Sequence, residues 1–187
     1  MEKTVLQYES CLAECREVFE KKHQDYGSAW RILRLSSLTD QMFIKASRIR
    51  SIEEKGENKV GESIEGEYRA LVNYGLMALI QFDMGGPSED VDMESKELLS
   101  RFDKHGQMAR SLMLAKNHDY GEAWRDMRVS SITDLILMKL LRIKQIEDND
   151  GLTIISEGID SNYYDIINYA LFSLIKLSEE KEKVAHL

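Results

Sequence analysis

The run Lys116-Asn-His-Asp119-Tyr120-Gly121-Glu-Ala-Trp124-Arg125-Asp-Met-Arg128-Val-Ser130-Ser131-Ile-Thr133-Asp134 has a second copy in the same chain. Ninety-four positions earlier (119 − 25 = 94) stands Lys22-His-Gln-Asp25-Tyr26-Gly27-Ser-Ala-Trp30-Arg31-Ile-Leu-Arg34-Leu-Ser36-Ser37-Leu-Thr39-Asp40. The match continues through Lys45, Arg48, Ile49 and Ile52 to their partners Lys139, Arg142, Ile143 and Ile146. About half of the paired positions are identical, more than shared helix composition produces, so the chain is a tandem duplication.

Working outward, each copy reads as helices. Apolar residues at Val5, Leu12, Cys15, Val18 and Phe19 predict a helix over 4–22, ended by Asp25-Tyr26-Gly27. A short helical turn is expected from Trp30 to Arg34, then a helix opened by a capping box at Ser37-Leu-Thr-Asp40 and running to about Glu54. After a polar loop, a third helix is expected from Ser63 to Phe82. Pro87, the only proline, marks the join. The second copy predicts helices over 89–117, 123–128, 132–148 (capped by Ser131) and 158–184, and no window alternates as a strand does. The expected architecture is all-α: repeat 1 over 1–86 and repeat 2 over 87–187, each mostly three helices. The two should pack as an internal pseudo-dimer about a pseudo-twofold axis, because about ninety residues bury limited apolar surface alone.

Composition narrows the function. A hydrophobic fraction of 43% with 31% charged residues describes a folded globular chain. The net charge of −8 argues against general nucleic-acid binding, which needs a basic stripe, and suits a divalent-metal site. No run has the length and apolarity of a signal peptide or a membrane span, so a cytoplasmic location is expected. Cys11 and Cys15 are neighbours on the first helix and read as small core residues.

Chemistry is expected in the last helix of repeat 2. Glu157, Asp160, Asp165 and Asn168 fall on one broad helical face, where three carboxylates could hold Mg²⁺, a hard ion that takes oxygen ligands. Acids in a first helical turn also complement the helix dipole without any further role. Repeat 1 carries Glu62 and Glu65 at the first two positions but Ala70 where repeat 2 has Asp165, which marks its site as degraded. Lys139 and Arg142, three apart on the preceding helix, would bind phosphate oxygens in a facing cleft, or pair with those acids. Lys116, Asp119, Tyr120, Trp124 and Arg128 would line a ligand pocket, though helix termination and a buried Trp account for much of that motif. Asp40 and Asp134 read as capping acids, and no Gly-rich phosphate loop or His-Glu-x-x-His motif occurs.

The set Lys-x-x-Asp-Tyr-Gly-x-x-Trp, Ser-x-Thr-Asp, Lys-x-x-Arg-Ile, Glu-Gly-Ile-Asp and Asp-x-x-Asn-Tyr-Ala resembles a bacterial and phage domain family described as nucleotide-modification-associated. That family in turn resembles MazG-like all-α nucleoside triphosphate pyrophosphohydrolases. The resemblance implies a helical bundle in which carboxylate-held Mg²⁺ activates a water that splits a nucleotide between its α- and β-phosphates. It further implies Glu157, Asp160 and Asp165 as metal ligands, Lys139 and Arg142 facing phosphates, and Asn168 orienting substrate. The chain departs from MazG-like enzymes where Lys139-x-x-Arg142 replaces their Glu-x-x-Glu pair. Two functions are therefore expected: the Mg²⁺-dependent nucleotide pyrophosphohydrolase that the resemblance implies, or a non-catalytic helical module that binds a nucleotide, another phosphorylated ligand or a protein.

Overall fold

The computed structural model describes residues 1–56, 58, 59, 61, 63–155 and 157–185, all helix or connecting turn, with no strand among them. Six helices follow one another: α1 Glu2–Tyr26, α2 Leu35–Lys55, α3 Ile64–Asp83, α4 Ser95–Tyr120, α5 Val129–Asp148 and α6 Ile159–Ala185. Short 3₁₀ turns at Ala29–Ile32 and Ala123–Asp126 link α1 to α2 and α4 to α5. The repeat motif is thus a helix stop, a tight turn and a helix start. Gly27 and Gly121 cap the stops at φ 61° and 63°, a left-handed backbone that glycine adopts without strain.

α1 and α4 run past their expected ends at 22 and 117, to Tyr26 and Tyr120, and three helix starts differ from the sequence reading. α2 and α5 begin at Leu35 and Val129, two to three residues before the expected starts, and no side chain caps either one. The acids that would complete those capping boxes are engaged elsewhere, Asp40 with Lys144 and Asp134 with Arg50. α4 begins at Ser95 instead of Glu89. The acidic run before it turns instead, and the Asp92 amide donates to the Asp90 side chain. At the start of α3 the Ser63 hydroxyl accepts from the Gly66 amide at 3.1 Å, a side-chain cap.

α3 and α6 form the centre, packed against each other, with α2 and α5 flanking them and α1 and α4 closing the bundle. Their apolar positions run nearly all round, as expected of helices with no solvent face: Leu71, Val72, Leu76 and Leu79 on α3, Ile166, Ile167, Leu171 and Leu174 on α6. Both repeats feed a single hydrophobic core. The central crossing is close. A Cβ added to Gly75 would lie 2.8 Å from Ile167, so glycine is what lets α3 and α6 meet there.

Side-chain bonds between the repeats come in reciprocal pairs, the signature of a pseudo-twofold axis. The Tyr68 hydroxyl meets Thr133 Oγ1 at 2.7 Å, and Thr133 donates to Glu53. In the mirrored position the Tyr163 hydroxyl meets Thr39 Oγ1 at 2.7 Å, and Thr39 donates to Glu147. Arg16 pairs with Asp103 as Arg110 pairs with Glu9, and Arg50 pairs with Asp134 as Lys144 pairs with Asp40. Burial comes first among the causes that push Glu53 and Glu147 above the ordinary glutamate pKa, and the hydroxyl donors only partly oppose it. No described helix is long and apolar enough to cross a membrane.

Candidate functional site

Asp165 sits on α6 at the edge of the core and is 5% exposed. Lys139 Nζ, from α5, lies 2.7 Å from its Oδ2, and Lys116, from the end of α4, donates to its Oδ1. Three helices therefore meet at one carboxylate with both oxygens occupied. Burial alone would lower the Lys116 ammonium, but the bond and charge of Asp165 outweigh it and hold the pKa above that of an ordinary lysine. Burial and then the Asp165 charge push the Tyr169 phenol up.

Two cavities flank this lysine-carboxylate cluster, and Lys139 lines both. The larger, about 720 Å³, lies between α5, the start of α6 and the connecting loop. Lys139, Arg142 and Glu157 line it, and Leu152, Ile154 and Ile155 form an apolar wall. Those three aliphatics are solvent-exposed, Ile154 fully. Arg142 is exposed and makes no ion pair among the described residues. Two cations against one carboxylate give this cavity a positive balance in a chain of net charge −8.

The smaller cavity, about 330 Å³, brings together Lys116, Tyr120, Trp124, Lys139, Asp165 and Asn168. Much of its lining is structural. Trp124 is 6% exposed and stacks on Phe172, with ring centroids 4.2 Å apart and planes 2° from parallel. Arg125 covers the Trp124 ring at 4.5 Å, and the Trp124 indole N–H has no acceptor among the described residues. Asn168 makes two buried bonds: its Oδ1 accepts from the Tyr8 hydroxyl at 2.7 Å, and its Nδ2 donates to the Ala109 carbonyl at 3.1 Å. These bonds tie α6 to α1 and α4, so Asn168 has a structural role at the wall of the cavity.

The expected metal trio does not assemble. Asp160 and Asp165 are five apart, which at 3.6 residues per turn places them roughly 140° apart around α6. Asp160 lies one turn before Tyr164, on the α4 side, and its charge contributes to raising that phenol to about 12 behind burial and Asp83. Glu157 precedes the helix altogether, so helical phase says nothing about it. No group of three His, Cys, Asp or Glu side chains among the described residues could hold a metal ion. Mg²⁺ therefore does not fit the set Glu157, Asp160 and Asp165 as arranged. Asp119 is exposed beside His118, and Arg128 is exposed at the N-terminus of α5 with its carbonyl accepting from Ser131 and Ile132; neither lines either cavity.

Repeat 1 solves the same charge problem differently. Its interior lysine, Lys45, pairs at 3.2 Å with Glu67, which is 2% exposed, and Arg48 bonds the other oxygen of that acid. In the alignment Glu67 corresponds to Asn162 (162 − 67 = 95), and Ala70 to Asp165. The neutralising carboxylate is kept in both copies but supplied one helical turn apart. Glu67 was not singled out from the sequence, yet the paired swaps Glu67/Asn162 and Ala70/Asp165 are visible in the repeat alignment. Glu62, matched to Glu157, falls outside the described residues.

The two halves of this duplicated helical fold, residues 22–82 and 116–177, each match the family described as nucleotide modification associated domain 1. These segments span most of the chain, which belongs to that family and carries two copies of its domain. No curated protein and no solved structure matches it.

Proposed function

We propose that repeat 2 binds a nucleoside triphosphate in the larger cavity. Its phosphates would lie against Arg142 and Lys139, and its base against Leu152, Ile154 and Ile155. The observation that carries the reading is Arg142: an exposed guanidinium without an ion-pair partner among the described residues, beside the two-lysine cluster and inside a cavity of ligand size. A guanidinium presents its donors as a planar fork that matches phosphate oxygens. Glu157, the one carboxylate in the lining, would repel phosphate and favour a ligand whose charge is partly neutralised. Mg²⁺ in this reading arrives with the phosphates and is not a resident ion, because Asp165 is committed to its lysines.

The function is binding, with no hydrolytic step assigned to the chain's own groups. The test is calorimetric titration of the purified chain with ribo- and deoxynucleoside triphosphates, with and without Mg²⁺, alongside a pyrophosphate-release assay. Binding of at least one triphosphate, weakened tenfold or more by Arg142→Ala, is expected, because a charge-assisted bond contributes about 1.5–3 kcal/mol. Pyrophosphate release would restore the hydrolase reading. Absence of binding, or binding indifferent to Arg142→Ala, would remove this one.

A further inference from the structure

Repeat 1 reads as degraded when measured against an acidic site, but its counterpart of the 330 Å³ cavity of repeat 2 is the roomier one. A space of about 440 Å³ adjoins a second of about 180 Å³, and the two share Phe19, Lys22, Tyr74 and Met77. They correspond position by position to the single smaller cavity of repeat 2. Two replacements account for the difference. Where repeat 2 has Asp165, bonded to Lys116, repeat 1 has Ala70, and Lys22 is exposed with no carboxylate partner among the described residues. Where repeat 2 has Phe172 stacked on Trp124, repeat 1 has Met77, and Trp30 is only half-buried along the cavity wall.

In repeat 2, then, the chain's own side chains take up part of this space, with one carboxylate against a lysine and one aromatic ring against a tryptophan. Repeat 1 keeps Lys22 and Trp30 and lacks both the carboxylate and the ring, with the flexible Met77 side chain at the position of Phe172. We infer that repeat 1 is a second ligand site, built for a small molecule that carries one anionic group and one aromatic ring, as a nucleoside monophosphate does. The anion takes the place of the Asp165 carboxylate at Lys22, and the ring takes the place of Phe172 against Trp30. Lys45 is already neutralised by Glu67, so the site has a single uncompensated cation and selects a small anion over a polyphosphate. This inference does not depend on the repeat 2 cavity.

Trp30 and Trp124 are the only tryptophans, so a Trp124→Phe chain reports on Trp30 alone. Titrating it with nucleoside monophosphates, with nucleosides and with inorganic phosphate should give a saturable change in Trp30 fluorescence with at least one monophosphate. Nucleoside or phosphate alone should bind at least tenfold more weakly. Lys22→Ala, which alters an exposed side chain and leaves the fold intact, should weaken the monophosphate at least tenfold. Met77→Phe, which installs the internal ring of repeat 2, should do the same. The assignment is overturned if no monophosphate changes Trp30 emission at millimolar concentration, if phosphate alone binds as well, or if the response survives either substitution.

Discussion

Asp165→Ala converts the interior anion of repeat 2 to the residue that repeat 1 carries, and its cost can be worked from the cluster. The carboxylate is 6% exposed, Lys139 is 12% exposed and Lys116 is 47% exposed. Lys116 can turn to water, so its bond contributes little. Lys139 cannot, and is left as an uncompensated buried charge, a defect that costs about 3–5 kcal/mol. With Lys116 relaxing and water entering the adjoining cavity, the lower end applies, about 3 kcal/mol, or roughly 6–12 °C in Tm for a chain of this size. Repeat 1 supplies the remedy: adding Asn162→Glu puts an acid where Glu67 stands, in the cavity lining that Asn162 shares with Lys139. The double variant should regain about half of the lost stability. Urea unfolding of the three proteins at neutral pH is the assay. A loss under about 1 kcal/mol for Asp165→Ala, or a double variant no more stable than the single one, would refute the idea that the repeats relocated one neutralising charge.

Further outcomes are expected for substitutions at Tyr8, Phe102, Gly75 and Glu179. Tyr8→Phe should cost about 1–2 kcal/mol by orphaning Asn168 Oδ1. Position 8 corresponds to Phe102 in repeat 2, which leaves Asn73 Oδ1 buried without a donor, so Phe102→Tyr should be stabilising; urea midpoints decide both. Gly75→Ala should destabilise by about 1–3 kcal/mol through the contact with Ile167, and Ile167→Val in the same chain should relieve part of it, measured by thermal unfolding. Glu179 accepts from Gln7 and pairs with Lys3 and Arg125, which hold its pKa down to about 2. A depressed carboxylate stabilises the fold above its unfolded pKa near 4.3 and loses that contribution as pH falls towards 2, so Glu179→Gln should flatten the decline of stability across that window.

The duplication made the fold legible. Helix phase and the Gly27 and Gly121 stops were readable from residue types, and the repeat itself announced the pairing that the reciprocal Tyr68-Thr133 and Tyr163-Thr39 bonds carry out. Helix starts were less legible, because Asp40 and Asp134 look like capping acids locally and are claimed by basic residues about a hundred positions away. Of the two arrangements the sequence left open for Lys139, facing a ligand or pairing with the acids of α6, the structure shows the pair with Asp165. Lys139, Arg142 and Glu157 do share a cavity, as their types and order suggest. The trio of acids failed on geometry: a five-residue step around α6, and a Glu157 that lies before the helix begins. That Asp165 serves as an internal counter-ion could not be read from α6 alone, since Lys116 and Lys139 arrive from two other helices.

The most direct measurement is a crystal structure of the whole chain grown with a nucleoside triphosphate and Mg²⁺. Phosphate oxygens should lie within hydrogen-bond distance of the Arg142 guanidinium and the base against Leu152, Ile154 and Ile155, with Asp165 still bonded to Lys116 and Lys139. A metal ion held jointly by Glu157, Asp160 and Asp165, with the lysines displaced, would contradict this reading.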